Sequence, residues 1–428
     1  MPEPSSPPHP NHGFIARAHT LFWFLGLLYG SLLVLLMIPP IQRQVVYLHN
    51  LKFPFFADFE HPENYGLAPY KTLNIRISTP DNVSIGAWLT LSEPFYRSLL
   101  PSSSSSSSSS SNDLITPATS YLTQPPTPSQ IRQSLHQRPT ILFLHGNAAT
   151  RAFHRRVSHY QAYSSRLGVN VLAIDYRGFG DSSGTPSEEG LRIDARAALD
   201  WLFGGMGVRR EDVLVVGNSL GTGVAVSLAH ELEMENLERD REERKALRGM
   251  VLLAPFSSIA TLLETYMVLG TVPIMAPLQV IPFAPDFFKK FLKEPFNSLS
   301  KVTNLTTPLL LAHAENDYDI PFSHSETLFS AFIEPFLPPL PLTSSAKARL
   351  GGDGEGGEGP GAEAAVYRAR RERRKEVVRT WEVDGLGDVQ VLRKERGEVA
   401  FLRTKWGAHD TIGLVEGVQD YMRVMFGL

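Results

Sequence analysis

Ser219 stands in Gly217-Asn218-Ser219-Leu220-Gly221, directly after the aliphatic run VLVV and directly before TGVAVSLAHELE, a stretch of helical character. A strand that turns sharply into a helix is the setting that holds a serine hydroxyl clear of a sheet, the nucleophile elbow. Gly217 and Gly221 suit it, because such a turn crowds strand and helix together. A serine hydroxyl is a poor nucleophile by itself. It needs a base to remove its proton and a carboxylate to orient that base, so a histidine and an acid are expected elsewhere in the chain.

His409, in Trp406-Gly407-Ala408-His409-Asp410, follows a candidate last strand (VAFLR), precedes a terminal helix, and is the only histidine after His324. His154 and His159 fall on an earlier helix, His230 on the helix behind the nucleophile, and His324 at the start of another; each reads as a packed or surface histidine. For the acid, the run at residues 309–312 leads into His313-Ala314-Glu315-Asn316-Asp317-Tyr318-Asp319-Ile320-Pro321, which offers Glu315, Asp317 and Asp319. A tetrahedral intermediate also needs two donors aimed at its oxyanion. The amide of Leu220 is one. The second is expected from His145-Gly146-Asn147-Ala148, where Gly146 permits close backbone approach and Asn147 presents its amide. His145 suits a structural hydrogen bond.

The elements that must position these residues are legible as alternation. Residues 73–78 and 84–91 bracket a Thr-Pro-Asp-Asn turn and read as a hairpin. Short aliphatic runs at 140–144, 170–174, 213–216, 250–253 and 309–312 read as buried parallel strands. Helical stretches separate them, one opening on a capping box, Thr185-Pro186-Ser187-Glu188, and the last spacing Ile412, Val415, Val418, Met422 and Met425 along one face. Strands alternating with helices predict a parallel sheet covered on both faces.

The 428 residues carry a net charge of −3, so no basic footprint for nucleic acid is present, and the absence of cysteine excludes disulfides, thiolate zinc sites and thiol catalysis. Residues 18–42 contain no Asp, Glu, Lys or Arg and are followed by no small-residue cleavage site, which predicts one uncleaved transmembrane anchor behind a cytosolic or flexible tail at 1–17. Residues 43–70 form a juxtamembrane segment whose aromatic part, 45–56, fits either the membrane interface or packing on the domain. One domain is expected over 71–428. Within it, the serine-rich stretch at 93–137 and the Gly/Glu-rich then basic stretch at 338–375 read as disordered insertions, the RARRERRK run best as a solvated charged helix.

HGNAATR, IDYRGFGDSSGTPSEEGL, GNSLGTGVA, APFSS and HAENDYDIPF, in that order, resemble the α/β-hydrolase superfamily, most closely its membrane-anchored lysophosphatidylserine lipase and monoacylglycerol lipase branch, with Bem46-like hydrolases as neighbours. The similarity spans about 71–92 and 138–332 and resumes near His409. It implies an α/β-hydrolase fold of about eight mostly parallel strands with helices on both faces, and a triad of Ser219, Asp317 and His409. Asp317 is favoured because similar hydrolases show Asp-x-x-(Val/Ile)-Pro. The resemblance further implies no metal or organic cofactor and a single-pass anchor in the endoplasmic reticulum membrane with a lumenal catalytic domain. The sequons at Asn82 and Asn304 are compatible with that face. The serine run and the long insertion between Asp317 and His409 depart from the family pattern.

Residues 256–305, where this fold carries a lid, are apolar and rich in Met, Pro and Phe, as expected of a cover for an acyl chain, and Lys289, Lys290 and Lys293 fit equally an anionic headgroup or the wet side of a lid helix. The expected activity is therefore that of an anchored serine hydrolase cleaving esters of single-chain lipids, lysophospholipid or monoacylglycerol, with lipid and membrane as its partners. An acyl-thioesterase or small-peptide hydrolase on the same fold is the alternative enzyme, and a non-catalytic membrane scaffold the alternative of another class.

Overall fold

The computed structural model of the chain describes residues 12–100, 121–238, 246–265, 267–268, 272–273, 283–340, 360–394 and 397–428. Ten strands form one sheet: β1 (Thr72–Ser78), β2 (Ser84–Thr90), β3 (Thr140–Leu144), β4 (Asn170–Ile174), β5 (Val213–Asn218), β6 (Gly249–Leu253), β7 (Leu309–Ala314), β8 (Val378–Val383), β9 (Gly387–Arg393) and β10 (Glu398–Thr404). Their spatial order is β1-β2-β4-β3-β5-β6-β7-β10-β9-β8. From β4 through β10 the neighbours run parallel, while β1 and β2 at one edge and β9 and β8 at the other are antiparallel.

The expectation of about eight strands is corrected to ten. The extra pair, β8 and β9, comes from the stretch between the candidate acid and base. In β9, Val389, Val391 and Leu392 are buried while Asp388 and Gln390 are half-buried, so the hairpin can continue the sheet and cover the edge β10 would otherwise present.

Helices clothe both faces. On one side lie α4 (Glu188–Asp200), α5 (Leu220–Leu237) and α6 (Ser323–Ile333); on the other lie α3 (His154–Ala162) and α8 (Glu416–Phe426). Strand β3 feeds both cores, Leu142 and Leu144 joining the first and Ile141 and Phe143 the second. The helix starts two residues later than the expected box on Thr185: the N-cap of α4 is Ser187, whose hydroxyl accepts the Gly190 amide at 3.0 Å, while Glu188 at the first helical position accepts the Phe296 amide instead of closing the box.

Ahead of the domain, α1 (His12–Leu36) is long and apolar enough to cross a membrane, and its Leu21, Phe22, Trp23 and Leu27 face outward. It ends six residues before the expected boundary at 42, because Pro39 and Pro40 start a new helix, α2 (Pro39–Tyr47). Leu33 packs with Ala284 against Tyr29, Leu263 and Phe288, so the end of α1 touches the segment expected to be a lid. Within that segment the described parts are a helix at Ile259–Thr265, the strand pair Met267–Val268 and Val272–Pro273, and a helix at Ala284–Lys289; residues 266, 269–271 and 274–282 lie outside the described residues.

Both expected insertions are partly ordered. Helices form at Glu93–Ser98 and Pro128–Gln137, the latter closed by a capping box between Thr127 and Gln130 and seated by Ser134 and Leu135. Disorder fails there because those ends carry cap and apolar residues that can dock. The serine run lies outside the described residues. Likewise α7 (Pro360–Val377) is helical, with Arg370 on Glu334, Arg373 on Glu376 and Lys375 on Glu372, the solvated charged helix that RARRERRK suggested. Residues 341–359 lie outside the described residues.

Candidate active site

Strand β5 ends where Ser219 turns into α5 with φ 50° and ψ −119°, a left-handed backbone that costs a non-glycine residue about 1–3 kcal/mol. The Ser219 amide donates to the Leu253 carbonyl at the end of β6 (3.0 Å), which holds the turn against the sheet. A Cβ on Gly217 would stand 2.5 Å from the Gly221 carbonyl, and one on Gly221 would collide with the Leu144 carbonyl. Both glycines are therefore required by backbone proximity.

The structure brings the three expected residues together. His409 Nε2 lies 2.8 Å from Ser219 Oγ, and His409 Nδ1 lies 2.8 Å from Asp317 Oδ2. Asp317 follows β7, and its Oδ1 accepts the amides of Asp319 and Ile320, both at 2.9 Å. Burial pushes the Asp317 carboxyl up, but hydrogen bonds from His313 and His409 outweigh it and hold the group well below the usual carboxylate range. For His409 burial acts downward, and the hydrogen bond and charge of Asp317 reverse it, raising the imidazole above its ordinary value. The left-handed Ala408, whose amide donates to Asn316 Oδ1 at 3.0 Å, aims the ring.

Glu315 instead pairs with Arg403, and Asp319 stays exposed. Asp319 does place an oxygen within 4.8 Å of ligand atoms of Asp317 and His409. Both His409 nitrogens are engaged within the protein, Nδ1 by Asp317 and Nε2 by Ser219.

The loop after β3 approaches the nucleophile closely: a Cβ on Gly146 would lie 3.3 Å from that of Ser219. Its next amides are spoken for. Ala148, Ala149 and Thr150 donate to the carbonyls of Tyr47, Leu51 and Phe53 at 2.8, 2.7 and 3.0 Å. Those three carbonyls belong to the segment that leaves α2. Arg156 grips the same loop from behind, its Nη2 donating to the carbonyls of Gly146, Asn147 and Ala148 at 3.0, 2.9 and 2.7 Å. Among the described residues, the amides of Asn147 and Leu220 take no part in these loop and turn bonds. A cleft of about 220 Å³ opens there, lined by Ser219, Asn147, Phe53, Arg155, Arg156 and Asp410.

With this geometry the sequence pattern of the Alpha/beta hydrolase family matches residues 141–400. The chain belongs to the alpha/beta hydrolase family. It is similar to the lysophosphatidylserine lipase ABHD12 of Xenopus tropicalis, 31% identical over 72% of this chain and 70% of that protein, and to that of Bos taurus, 30% identical over 72% and 68%. Protein ABHD12B of Homo sapiens is 29% identical over 68% of this chain and 69% of its own. A solved alpha-beta hydrolase from Vibrio vulnificus superposes with a TM-score of 0.50 at 14% identity, covering 90% of this chain and 92% of that one, a likeness of fold alone.

In this alpha/beta hydrolase the remaining histidines have other work. His145 is buried, with Nδ1 2.6 Å from the Gly146 carbonyl and Nε2 3.2 Å from Asp175. His159 is buried and pushed down to about 4 by desolvation, and so is His324, which links Ser257 to Thr265. His154 is exposed and His230 half-buried on their helices. One contributor went unread in the sequence: His313 Nε2 lies 3.2 Å from Asp317 Oδ2 and 2.9 Å from the Ile320 carbonyl, while Nδ1 faces Ser325 Oγ at 2.7 Å. Its place four residues before Asp317, on the same strand end, was the available signal.

Proposed function

We propose that this alpha/beta hydrolase is a membrane-anchored serine hydrolase that cleaves the carboxylic ester of a single-chain lipid, a lysophospholipid or monoacylglycerol, with Ser219 as nucleophile, His409 as base and Asp317 as the acid that orients it. The observation that carries the reading is the continuous hydrogen-bonded line from Asp317 through His409 to Ser219, 2.8 Å at each link, at a strained elbow. His409 Nε2 takes the serine proton as Oγ attacks the ester carbonyl, and the amides of Asn147 and Leu220 receive the oxyanion. Collapse expels the lipid alcohol, which gains the proton from His409 and leaves an acyl-enzyme. Water, deprotonated by the same nitrogen, then releases the fatty acid and restores Ser219. No cofactor is required by these steps.

The outward apolar surface of α1, its packing on the lid segment, and the likeness to lysophosphatidylserine lipases support a lipid substrate taken at a membrane. Placement in the endoplasmic reticulum membrane with a lumenal domain follows from the family resemblance, and both sequon asparagines, Asn82 and Asn304, are exposed. The test is labelling of the membrane-inserted protein by a fluorophosphonate, with Ser219→Ala and His409→Ala alongside. Labelling lost in both variants, followed by release of fatty acid from lysolipids, is expected; an unlabelled folded wild type would sink the mechanism. Faster hydrolysis of acyl-thioesters or peptides would leave the mechanism and change the substrate.

A further inference from the structure

A guanidinium keeps its charge in any protein setting, so burying one away from carboxylates leaves positive potential that a ligand can use. Arg156 is 8% exposed and sits in the wall of the cleft beside Ser219. Its hydrogen-bond partners are the three neutral carbonyls of the oxyanion loop, and its Nη1 is buried with no acceptor. Among the described residues no carboxylate stands within ion-pair distance of it.

Arg155 lines the same cleft. Its Nη1 lies 2.6 Å from Oδ2 of Asp410, the residue after the base, and the two side chains are 48% and 40% exposed. An ion pair this wet contributes little to stability and exchanges partners readily. A phosphate diester could take the fork of Arg155, where bidentate contact is strong, and Asp410 would then be free for an ammonium group on the same headgroup. Together the two guanidiniums outnumber the single Asp410 carboxylate, which favours an anion at this wall.

Resting on the reading of Ser219 as the nucleophile toward a lipid ester, we propose that Arg155 and Asp410, beside the buried guanidinium of Arg156 that makes no direct ion pair, form the subsite for a phosphate-bearing headgroup, and that this subsite selects lysophospholipids over neutral monoacylglycerols. Arg155 and Asp410 are specificity residues here; Arg156 supplies potential and positions the loop.

Binding is measured with full-length Ser219→Ala protein in phosphatidylcholine nanodiscs, using 1-acyl lysophosphatidylserine and the 1-monoacylglycerol of equal chain length. Adding Arg155→Gln is expected to raise the ratio of the two Kd values at least tenfold toward the neutral lipid, and Arg155→Lys, which keeps the charge without the fork, to restore it only in part. Asp410→Asn is expected to weaken lysophosphatidylserine but not lysophosphatidic acid, which lacks the ammonium. Competition by inorganic phosphate against lysophosphatidylserine, lost with Arg155→Gln, would identify the phosphate itself as sufficient; its failure alongside the altered ratio would identify the whole headgroup. An unchanged ratio in Arg155→Gln overturns the proposal. Because the readout is binding, a wild type that hydrolyses neither lipid would defeat the hydrolase reading while the subsite is judged separately.

Discussion

The carbonyl of Tyr47 accepts the amide of Ala148 at 2.8 Å, so the chain leaving α2 is hydrogen-bonded to the loop beside Ser219. Tyr47 is itself fully buried, and its hydroxyl donates to Glu294 Oε2 at 3.0 Å, within the 256–305 segment. Through this one residue the strap that follows α2, the 256–305 segment and the loop after β3 share a support. Phe53, six residues on, repeats the contact with Thr150 and lines the cleft as well.

Tyr47→Ala is therefore expected to do more than open a cavity. Loss of a buried aromatic costs about 3–5 kcal/mol, and with it the carbonyls of Tyr47, Leu51 and Phe53 lose their fixed positions. Turnover of a water-soluble ester in detergent should fall at least tenfold. Tyr47→Phe forfeits only the hydrogen bond, about 1 kcal/mol, and should keep near-normal turnover. Equal activity in the two variants, both shown to be folded, would detach the strap from the loop.

Gly221→Ala should abolish fluorophosphonate labelling. The added methyl meets backbone at the end of β3, at the Leu144 and His145 carbonyls, which no rotamer change relieves. Overpacking of this kind costs about 1–3 kcal/mol and displaces Ser219 from its left-handed turn. A thermal midpoint lowered by several degrees together with lost labelling is expected; normal labelling would mean that the elbow tolerates a side chain.

The grouping of Ser219 with His409 was legible because each is tied to a strand end by neighbours of recognisable type, glycines around Ser219 and a terminal helix after His409, whereas Asp317 was singled out from Glu315 and Asp319 by the resemblance of its Asp-x-x-Ile-Pro run to similar hydrolases. The supports were not legible. Tyr47 holds Ala148 through main-chain atoms more than a hundred positions apart, and a backbone bond leaves no signature in side-chain type. Arg156 reads as an ordinary helix arginine until the loop folds over it. Strands β8 and β9 escaped notice because VRTWEV and GDVQVLR mix charge into a weak alternation; pairing with β10, rather than intrinsic pattern, makes them strands.

His313 should prove a positioning residue. Its Nε2–H is shared between Asp317 and the Ile320 carbonyl, so it steadies the acid without reaching Ser219. His313→Gln, which can still donate, is expected to retain most of kcat, whereas His313→Leu should lower kcat about tenfold with little change in KM. It should also shift the acidic limb of the pH profile, since one of the bonds that holds the Asp317 carboxyl ionised is gone. A purely structural role would lower stability and leave that limb in place.

Activity and stability should respond to pH in opposite senses at this site. A base must be neutral to act, and His409 is raised above its ordinary 6.5, so kcat/KM should climb with pH through a midpoint above 6.5. The stabilising interaction of protonated His409 is fully present below about 6.5 and is lost as pH rises through the raised value. Asp317, held below its ordinary 3.8, contributes above that value and loses its contribution as pH falls below it. The pair therefore stabilises most between about pH 4 and 6.5, where His409 is protonated and turnover is low. Asp317→Asn removes the influence that raises His409, leaving burial to pull it down; the acidic limb should move to lower pH while kcat drops on the order of 10⁴. Parallel measurement of kcat/KM on a soluble ester and of thermal midpoints from pH 4 to 9 checks both halves, and an acidic limb that stays put in Asp317→Asn would show that the Asp317–His409 contact does not set the base.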